Sequence, residues 1–178
     1  MTRIHAKLSR EEVAALVCTT LESHGISVVL CGGAVASIYA RNEFESLDLD
    51  FVPMGIHKDV RRAMRELGFA EKGRHWVHGD TRFGVEFSPG PVMADDRPVT
   101  EFAERSTRAG ELRLLHPTEC VIDRLAGYYF WNDPQCLEQA VAVANAQRRA
   151  VDLARIEAWS QRRQMTGRFE TFRERLGP

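Results

Sequence analysis

Two aspartates stand two positions apart in a short segment that has the pattern of a β-strand. In residues 47–52, LDLDFV, apolar residues alternate with Asp48 and Asp50, and Pro53 ends the run. Successive side chains of a strand point to opposite faces, so the two carboxylates share one face, with Cα atoms roughly 6.5 to 7 Å apart. Two like charges this close repel each other unless water or a metal ion compensates them. The pair predicts a cation site, and a solvated acidic edge strand is the alternative interpretation.

A third carboxylate occurs in a second strand-like run, residues 83–87. Glu86 alternates there with apolar neighbours in the same manner as the two aspartates. Acidic groups on neighbouring strands bind hard cations such as Mg²⁺ or Mn²⁺, which prefer oxygen ligands. The coordination shell of Mg²⁺ usually includes phosphate oxygens of the substrate as well. We therefore predict a metal site formed by Asp48, Asp50 and Glu86.

A glycine pair precedes these residues, between a predicted buried strand and a predicted helix. Gly32 and Gly33 follow the apolar run VVLC. Glycines allow the backbone to approach a ligand closely, and the N-terminus of a helix offers unpaired N–H groups to a phosphate. Ser46, just before the acidic strand, carries a hydroxyl that can also contact phosphate, and a capping or surface role is its alternative.

The order of these motifs resembles that of the nucleotidyltransferase superfamily related to DNA polymerase β, over about residues 26 to 90. The resemblance implies a mixed β-sheet flanked by helices. It also implies that the protein moves a nucleoside monophosphate from a nucleoside triphosphate to an acceptor hydroxyl, with Mg²⁺ or Mn²⁺ at the carboxylates. The resemblance implies that Gly32 and Gly33 bind the triphosphate and that Asp48 and Asp50 bind the metal. Glu86 would complete the site and act as the general base.

Residues 115–126 are similar to minimal prokaryotic nucleotidyltransferase-like proteins, including toxin components of the AbiEii type. The similarity implies a basic residue on this helix, which makes Arg124 a candidate phosphate ligand. The chain departs from many such relatives at Phe44 and Glu45, which stand where those proteins carry an arginine. The departure favours the alternative of a catalytically silent protein of the same fold that binds a nucleotide or a partner. The toxin component of a toxin and antitoxin pair is a further alternative, which a neighbouring gene would reveal.

The pattern of apolar residues predicts the elements that position these side chains. Predicted helices cover residues 9–24, 34–40, 57–67, 117–131, 134–144, 150–162 and 167–176. Predicted strands cover residues 26–30, 47–52, 74–77, 82–87 and 112–115, with a hairpin turn at Gly79–Asp80. Residues 88–109 are predicted to be a loop with a short helix near 101–106. This pattern predicts an α/β (α+β) protein with a helical C-terminal region, 117–178, packed on or beside the core. The resemblance implies that the core, 1–116, is nucleotidyltransferase-like.

The charge balance gives no support for a highly charged partner. The 24 Lys and Arg nearly match the 25 Asp and Glu, so no global field favours nucleic acid or a membrane surface. An RNA acceptor stays open but is not favoured, and a protein partner stays open as well. The N-terminus lacks an apolar segment of signal-peptide type, and no stretch reaches the roughly 20 apolar residues needed to span a bilayer. We expect a cytoplasmic protein.

For four other groups of residues a structural role is the first interpretation. The four cysteines are widely spaced without a Cys-x-x-Cys pair, which predicts buried thiols over disulfides or a zinc site. His75 and His78 point to opposite faces of a strand, so a shared ion is not expected. The aromatic run 128–131 is too dense for one buried helix face, so part of it is expected at the surface or along a pocket. The C-terminal arginines favour a solvated helix face over an RNA-binding patch.

Overall fold

A computed structural model of the chain describes residues 3–54, 60–94 and 97–177. The helices are α1 Arg10–Ser23, α2 Gly32–Tyr39, α3 Val60–Glu66, α4 Pro117–Trp131, α5 Pro134–Ala146, α6 Leu153–Arg162 and α7 Thr166–Glu174. The strands are β1 Val28–Cys31, β2 Asp48–Pro53, β3 Ala70–Lys72, β4 His75–Val77, β5 Gly84–Phe87, β6 Met93–Ala94, β7 Arg97–Pro98, β8 Phe102–Thr107 and β9 Gly110–Leu115.

The acidic strand lies in the middle of a mixed sheet. The seven-stranded sheet has the order β3-β4-β5-β2-β1-β9-β8, and β6 pairs with β7 in a separate hairpin. Strand β2 is antiparallel to β1 on one side and parallel to β5 on the other. Helix α1 precedes the first strand, α2 and α3 lie between strands, and the helices from α4 onwards follow the last strand. The predicted α/β class is confirmed.

The sequence signals at the helix ends act as predicted. Ser9 caps α1 and forms a reciprocal capping box with Glu12. Helices α4 and α5 each begin with a proline. Proline has no backbone N–H, and this costs nothing in the first turn, because an N–H there has no acceptor within the helix. Among the described helices, none has both the length and the apolar composition that crossing a bilayer requires.

One buried cluster joins the sheet to the helices on either side of it in the chain. It includes Leu16 of α1, Phe51 of β2, Leu125 of α4 and Trp159 of α6. Burying such large apolar side chains is the main favourable contribution to folding. Residues from both 1–116 and 117–178 share this cluster. The boundary at residue 116 stays a prediction.

The structure differs from the predicted elements in the segment 88–109. The predicted helix near 101–106 is wrong, because these residues lie mostly in β8, which pairs antiparallel with β9 from Phe102 opposite Leu115 to Thr107 opposite Gly110. The segment also contains β6 and β7, and the short strand β3 was not predicted. The predicted start of the third helix, residues 57–59, lies outside the described residues.

The capping carboxylate gives the fold a defined sensitivity to acid. Glu12 accepts hydrogen bonds from the backbone N–H and the hydroxyl of Ser9, at 2.8 and 3.0 Å, and is paired with Arg108. Hydrogen bonding from Arg108, followed by that from Ser9, lowers the pKa of Glu12 from 4.5 to about 2. A carboxyl whose pKa is lower in the folded state stabilises the fold above its unfolded pKa, and this stabilisation is lost as the pH falls through the folded pKa.

We therefore expect the free energy of unfolding, measured by urea titration, to decrease as the pH falls from 4.5 towards 2. Glu12→Gln keeps a group able to complete the capping box but removes the charge. The variant should be less stable at neutral pH and show a flatter profile over this range. An identical pH profile in the variant would contradict this assignment.

Candidate active site

The two aspartates and Glu86 meet on one face of the central strands. In the register of the sheet, Asp50 lies opposite Glu86 of β5 on one side and opposite Cys31 of β1 on the other. Asp48 lies opposite Gly84 in the same parallel pair. Asp48 is exposed, whereas Asp50 and Glu86 are half-buried. The structure thus brings together the three predicted carboxylates, with Asp50 at the centre.

Asp50 lies where a negative charge is unfavourable. Burial raises the pKa of Asp50, and the charges of Glu86 and Asp48 raise it further, while Arg124 partly opposes the shift. Desolvation and like charges both disfavour a carboxylate, so a cation at this point would relieve the repulsion. Perturbed carboxyl groups of this kind cluster at functional sites.

The turn after β1 brings the backbone against Asp50. Gly32 has a φ of +72°, and a Cβ atom added there would lie 2.7 Å from Asp50 Oδ2. A side chain at this position would be strained in its backbone and would also collide with the carboxylate. The position therefore requires glycine for two independent reasons.

The other predicted phosphate ligands converge beside the second glycine. A Cβ atom added at Gly33 would lie 3.4 Å from Ser46 Oγ and 3.9 Å from Arg124 Nη1. Gly33 lies in the first turn of α2, where backbone N–H groups lack partners within the helix. Ser46 and Arg124, which are 78 positions apart in the sequence, thus meet at the same helix terminus.

Arg124 is held in place by its neighbours. It donates to Asp123 Oδ2 from Nη2 at 2.6 Å and from Nε at 3.0 Å, and to Gln139 Oε1 from Nη1 at 3.3 Å. Burial opposes its charge, but Asp123 outweighs burial and raises the pKa of Arg124. A fixed guanidinium beside a helix N-terminus is well suited to an anionic ligand.

Glu86 has two basic side chains beside it that the sequence did not indicate. Arg74 Nε lies 3.2 Å from Glu86 Oε1, and His75 Nδ1 lies 3.4 Å from Oε2. Across residues 3–54, 60–94 and 97–177, no group of three or more His, Cys, Asp or Glu is arranged to hold a metal ion. The oxygen donors of Asp48 and Asp50 do fit a hard cation, because they share a face and the charge of Asp50 is poorly compensated. Glu86 would have to leave Arg74 and His75 to join them.

A buried arginine that sequence reasoning missed supports the segment before the acidic strand. Arg10 donates from Nε to the carbonyl oxygen of Ser46 at 2.9 Å, and from Nη1 to Ser37 Oγ and to Asn42 Oδ1, each at 2.5 Å. An arginine in the first turn of a helix is usually solvated, so no local signal marks this one. Arg10 therefore acts as a positioning residue for Ser46.

We expect Arg10→Met to lower the free energy of unfolding by about 3 kcal/mol, because one buried and two partly buried acceptors lose a charged donor. Arg82→Met is the matched control. Arg82 also lies over the ring of Phe83, as Arg10 does, but its ion pair with Glu45 is exposed, so its loss should cost less than about 1 kcal/mol. Urea denaturation of both variants makes the comparison, and equal losses would contradict the assigned role of Arg10.

Comparison with known proteins gives one structural likeness. No protein-family model and no curated protein matches the sequence. A solved structure of similar shape is that of an antigenic nucleotidyltransferase-like protein from Paracoccidioides brasiliensis, with a TM-score of 0.58 and 11% sequence identity. The chain has a nucleotidyltransferase-like fold.

The likeness covers 93% of this chain and 94% of the Paracoccidioides brasiliensis chain. The nucleotidyltransferase-like fold therefore extends well beyond residues 26–90, where the motifs lie, and takes in most of the C-terminal helices. At this level of identity the likeness describes the arrangement of the backbone, and the roles of individual residues rest on the geometry of the site.

Proposed function

We propose that the protein transfers a nucleoside monophosphate from a nucleoside triphosphate to the hydroxyl of an acceptor. The observation that carries the proposal is the position of Asp50. It lies beside Gly32, in register with Glu86, and on the same strand face as Asp48. The groups suited to bind a triphosphate, at the start of α2 and at Ser46 and Arg124, lie beside Asp50. A bound triphosphate would therefore lie next to the carboxylates.

The triphosphate would be held by groups that the fold fixes in advance. The backbone N–H groups in the first turn of α2 have no partner within the helix, so they could donate to phosphate oxygens. Ser46 offers its hydroxyl, and Arg124 offers a guanidinium at the same helix terminus. Prior positioning of such donors lowers the cost of ordering a flexible, charged ligand.

In the reaction, the acceptor oxygen forms a bond to the α-phosphorus while the bond from that phosphorus to the bridging oxygen breaks. Pyrophosphate departs with the electron pair, and the hydroxyl proton passes to Glu86. A divalent cation held by Asp48 and Asp50 would supply charge neutralisation at the phosphates and make the hydroxyl more acidic. Arg74 and His75, which contact Glu86, would orient the carboxylate that accepts the proton.

Pyrophosphate release from each of the four nucleoside triphosphates, with Mg²⁺ or Mn²⁺, tests the proposal. Pooled RNA, protein lysate and aminoglycosides serve as acceptors in separate reactions. Asp48→Asn should abolish release, whereas Asp80→Asn, which makes the same change in an exposed turn, should retain it. Release that persists in Asp48→Asn would refute the assigned role.

The second candidate is a protein of the same fold that binds a nucleotide or a partner without catalysis. The ion pair of Glu86 with Arg74 and its contact with His75 favour it, because they occupy the third carboxylate. Calorimetry separates the candidates: nucleotide binding that is independent of Mg²⁺, together with no pyrophosphate release, supports the second. The similarity to AbiEii-type toxin components adds a toxin role to this candidate, which a growth test with the product of a neighbouring gene would examine.

A further inference from the structure

A cavity of about 600 Å³ lies beside the segments that lead into β2 and β5. Its walls come from residues 6–10, 42–45 and 81–83. Among the described residues that line it, none belongs to the proposed active site. Cavities of this volume commonly bind small molecules. The cavity therefore has room for a ligand other than the nucleotide.

The cavity has a buried positive charge in its wall. Arg10 lines the cavity and is only 5% exposed. The three groups that accept hydrogen bonds from its side chain are all neutral: the carbonyl of Ser46, the hydroxyl of Ser37 and the amide oxygen of Asn42. Glu45, whose charge acts on Arg10, is paired with Arg82 instead. Buried arginines are rarely found without an anionic partner, so the cavity wall lacks one negative charge.

One nitrogen of the Arg10 guanidinium remains available to a ligand. Nε and Nη1 make the three hydrogen bonds, whereas Nη2 makes none with the described residues. Nη2 is also accessible, because the sealed and unpartnered side-chain atoms of the described residues belong to Glu119 and Trp159 alone. The N–H groups of Nη2 can therefore donate to a ligand in the cavity.

A second guanidinium adds to the positive charge at the cavity wall. The Cζ atoms of Arg10 and Arg82 lie 5.7 and 5.2 Å from the centroid of the Phe83 ring. Burial lowers the pKa of Arg10, the charge of Arg82 lowers it further, and Glu45 opposes the shift only in part. An anion beside Arg10 would relieve both effects.

The other lining residues restrict the kind of anion. Leu8, Phe44 and Phe83 give the cavity apolar surface, which suits the hydrocarbon part of an organic ligand. Glu43 and Glu45 also line it, and both are exposed. Their charges disfavour a ligand with more than one negative charge, because like charges repel. A carboxylate attached to an apolar group meets both conditions.

We propose that this cavity is a binding site for a small organic monocarboxylate. The carboxylate accepts hydrogen bonds from Nη2 of Arg10 and lies near Arg82, and the apolar part of the ligand packs against Phe44 and Phe83. A planar carboxylate matches the geometry of guanidinium N–H groups. Because Arg10 also holds the carbonyl of Ser46, the bound ligand fixes the segment before β2. The site does not depend on the proposed transfer reaction.

A chemical-shift titration of the isotope-labelled, full-length wild-type protein tests the inference, without nucleotide or metal. The probes are benzoate and phenylacetate. Phenylacetamide is the neutral match, and inorganic phosphate is an anion with no apolar part. We expect a carboxylate probe to bind at least about tenfold more tightly than either comparison compound, because it alone offers both a charged acceptor and an apolar body. The amide signals that move should belong to residues 8–10, 42–46 and 81–83, with those of α5 unchanged.

Arg82→Met is the first variant to test, because its exposed ion pair contributes little to stability. It should weaken the better carboxylate probe about tenfold. Arg105→Met is the matched control. Arg105 also lies over an aromatic ring, that of Tyr39, and pairs with Glu11, but it does not line the cavity. Its loss should leave probe binding unchanged, and thermal melts establish that both variants are folded.

Glu45→Gln provides a test in the opposite direction. Glu45 competes with a ligand for Arg82, with which it forms an ion pair of 2.7 Å. Its replacement should strengthen carboxylate binding about threefold. A merely structural role of these residues would not improve binding.

The inference is overturned if neither carboxylate probe binds, or if the amide signals that move lie elsewhere in the chain. Equal binding of phenylacetamide would show that the positive charge is unimportant, and equal binding of phosphate would show that the apolar walls are. Each of these results refutes the proposed class of ligand. Unchanged carboxylate binding in Arg82→Met, together with no gain in Glu45→Gln, would refute the assigned position of the ligand.

Discussion

Asp50→Asn is expected to reduce nucleotidyl transfer by about 100- to 10,000-fold while making the protein no less stable. The activity is lost because Asn keeps the size of the side chain but removes the charge that a cation would need. Stability is retained because the ionised carboxylate is itself unfavourable there, beside Glu86 and Asp48. Removing a strained functional group commonly trades activity for stability.

The raised pKa of Asp50 also predicts how its substitution changes stability at neutral pH. Since burial and like charges raise the pKa of Asp50, its contribution to stability is fully present below its unfolded pKa and is lost as the pH rises through the folded pKa. At neutral pH, Asp50→Asn should therefore have an equal or higher free energy of unfolding than the wild type in urea titrations. Asp80→Asn controls for the substitution. A variant that is inactive because it is unfolded would contradict the assigned role.

Gly32→Ala is expected to have the second largest effect, on both the fold and the site. The left-handed backbone at a φ of +72° costs about 1 to 2 kcal/mol for a residue with a Cβ atom. The added methyl group would also lie 2.7 Å from Asp50 Oδ2, so the carboxylate must move. We expect transfer to fall at least about 100-fold, because a displaced carboxylate cannot serve the reacting groups.

Gly25→Ala is the matched control for this change. Gly25 has nearly the same φ, +73°, but a Cβ atom there meets nothing within 4 Å. It should cost a similar backbone strain while leaving activity unchanged. Urea denaturation and pyrophosphate release on both variants separate the two effects, and equal activity in the pair would show that close approach to Asp50 is unimportant.

The acidic strand and the glycine turn are predictable because their signals are local. Alternation of apolar and acidic residues fixes the face of Asp48 and Asp50, and the structure has β2 at Asp48–Pro53. The capping box at Ser9 likewise fixes the start of α1. Each of these features depends on neighbours within a few positions, which a sequence displays directly.

The missed features depend on partners that are distant in sequence. Strand β8 is defined by its ladder with β9, and a ladder is invisible in the pattern of one strand alone. Arg10 reaches Ser46 across 36 positions.

The central place of β2 in the sheet has a consequence for how such a protein can vary. Two strands separate it from each edge strand of the sheet, so an insertion, a deletion or a new binding partner at β3 or β8 alters the periphery first. The hydrogen bonds that fix Asp50 between β1 and β5 belong to the most protected part of the ladder. The edges can therefore diverge in sequence and in length while the carboxylates keep their spacing.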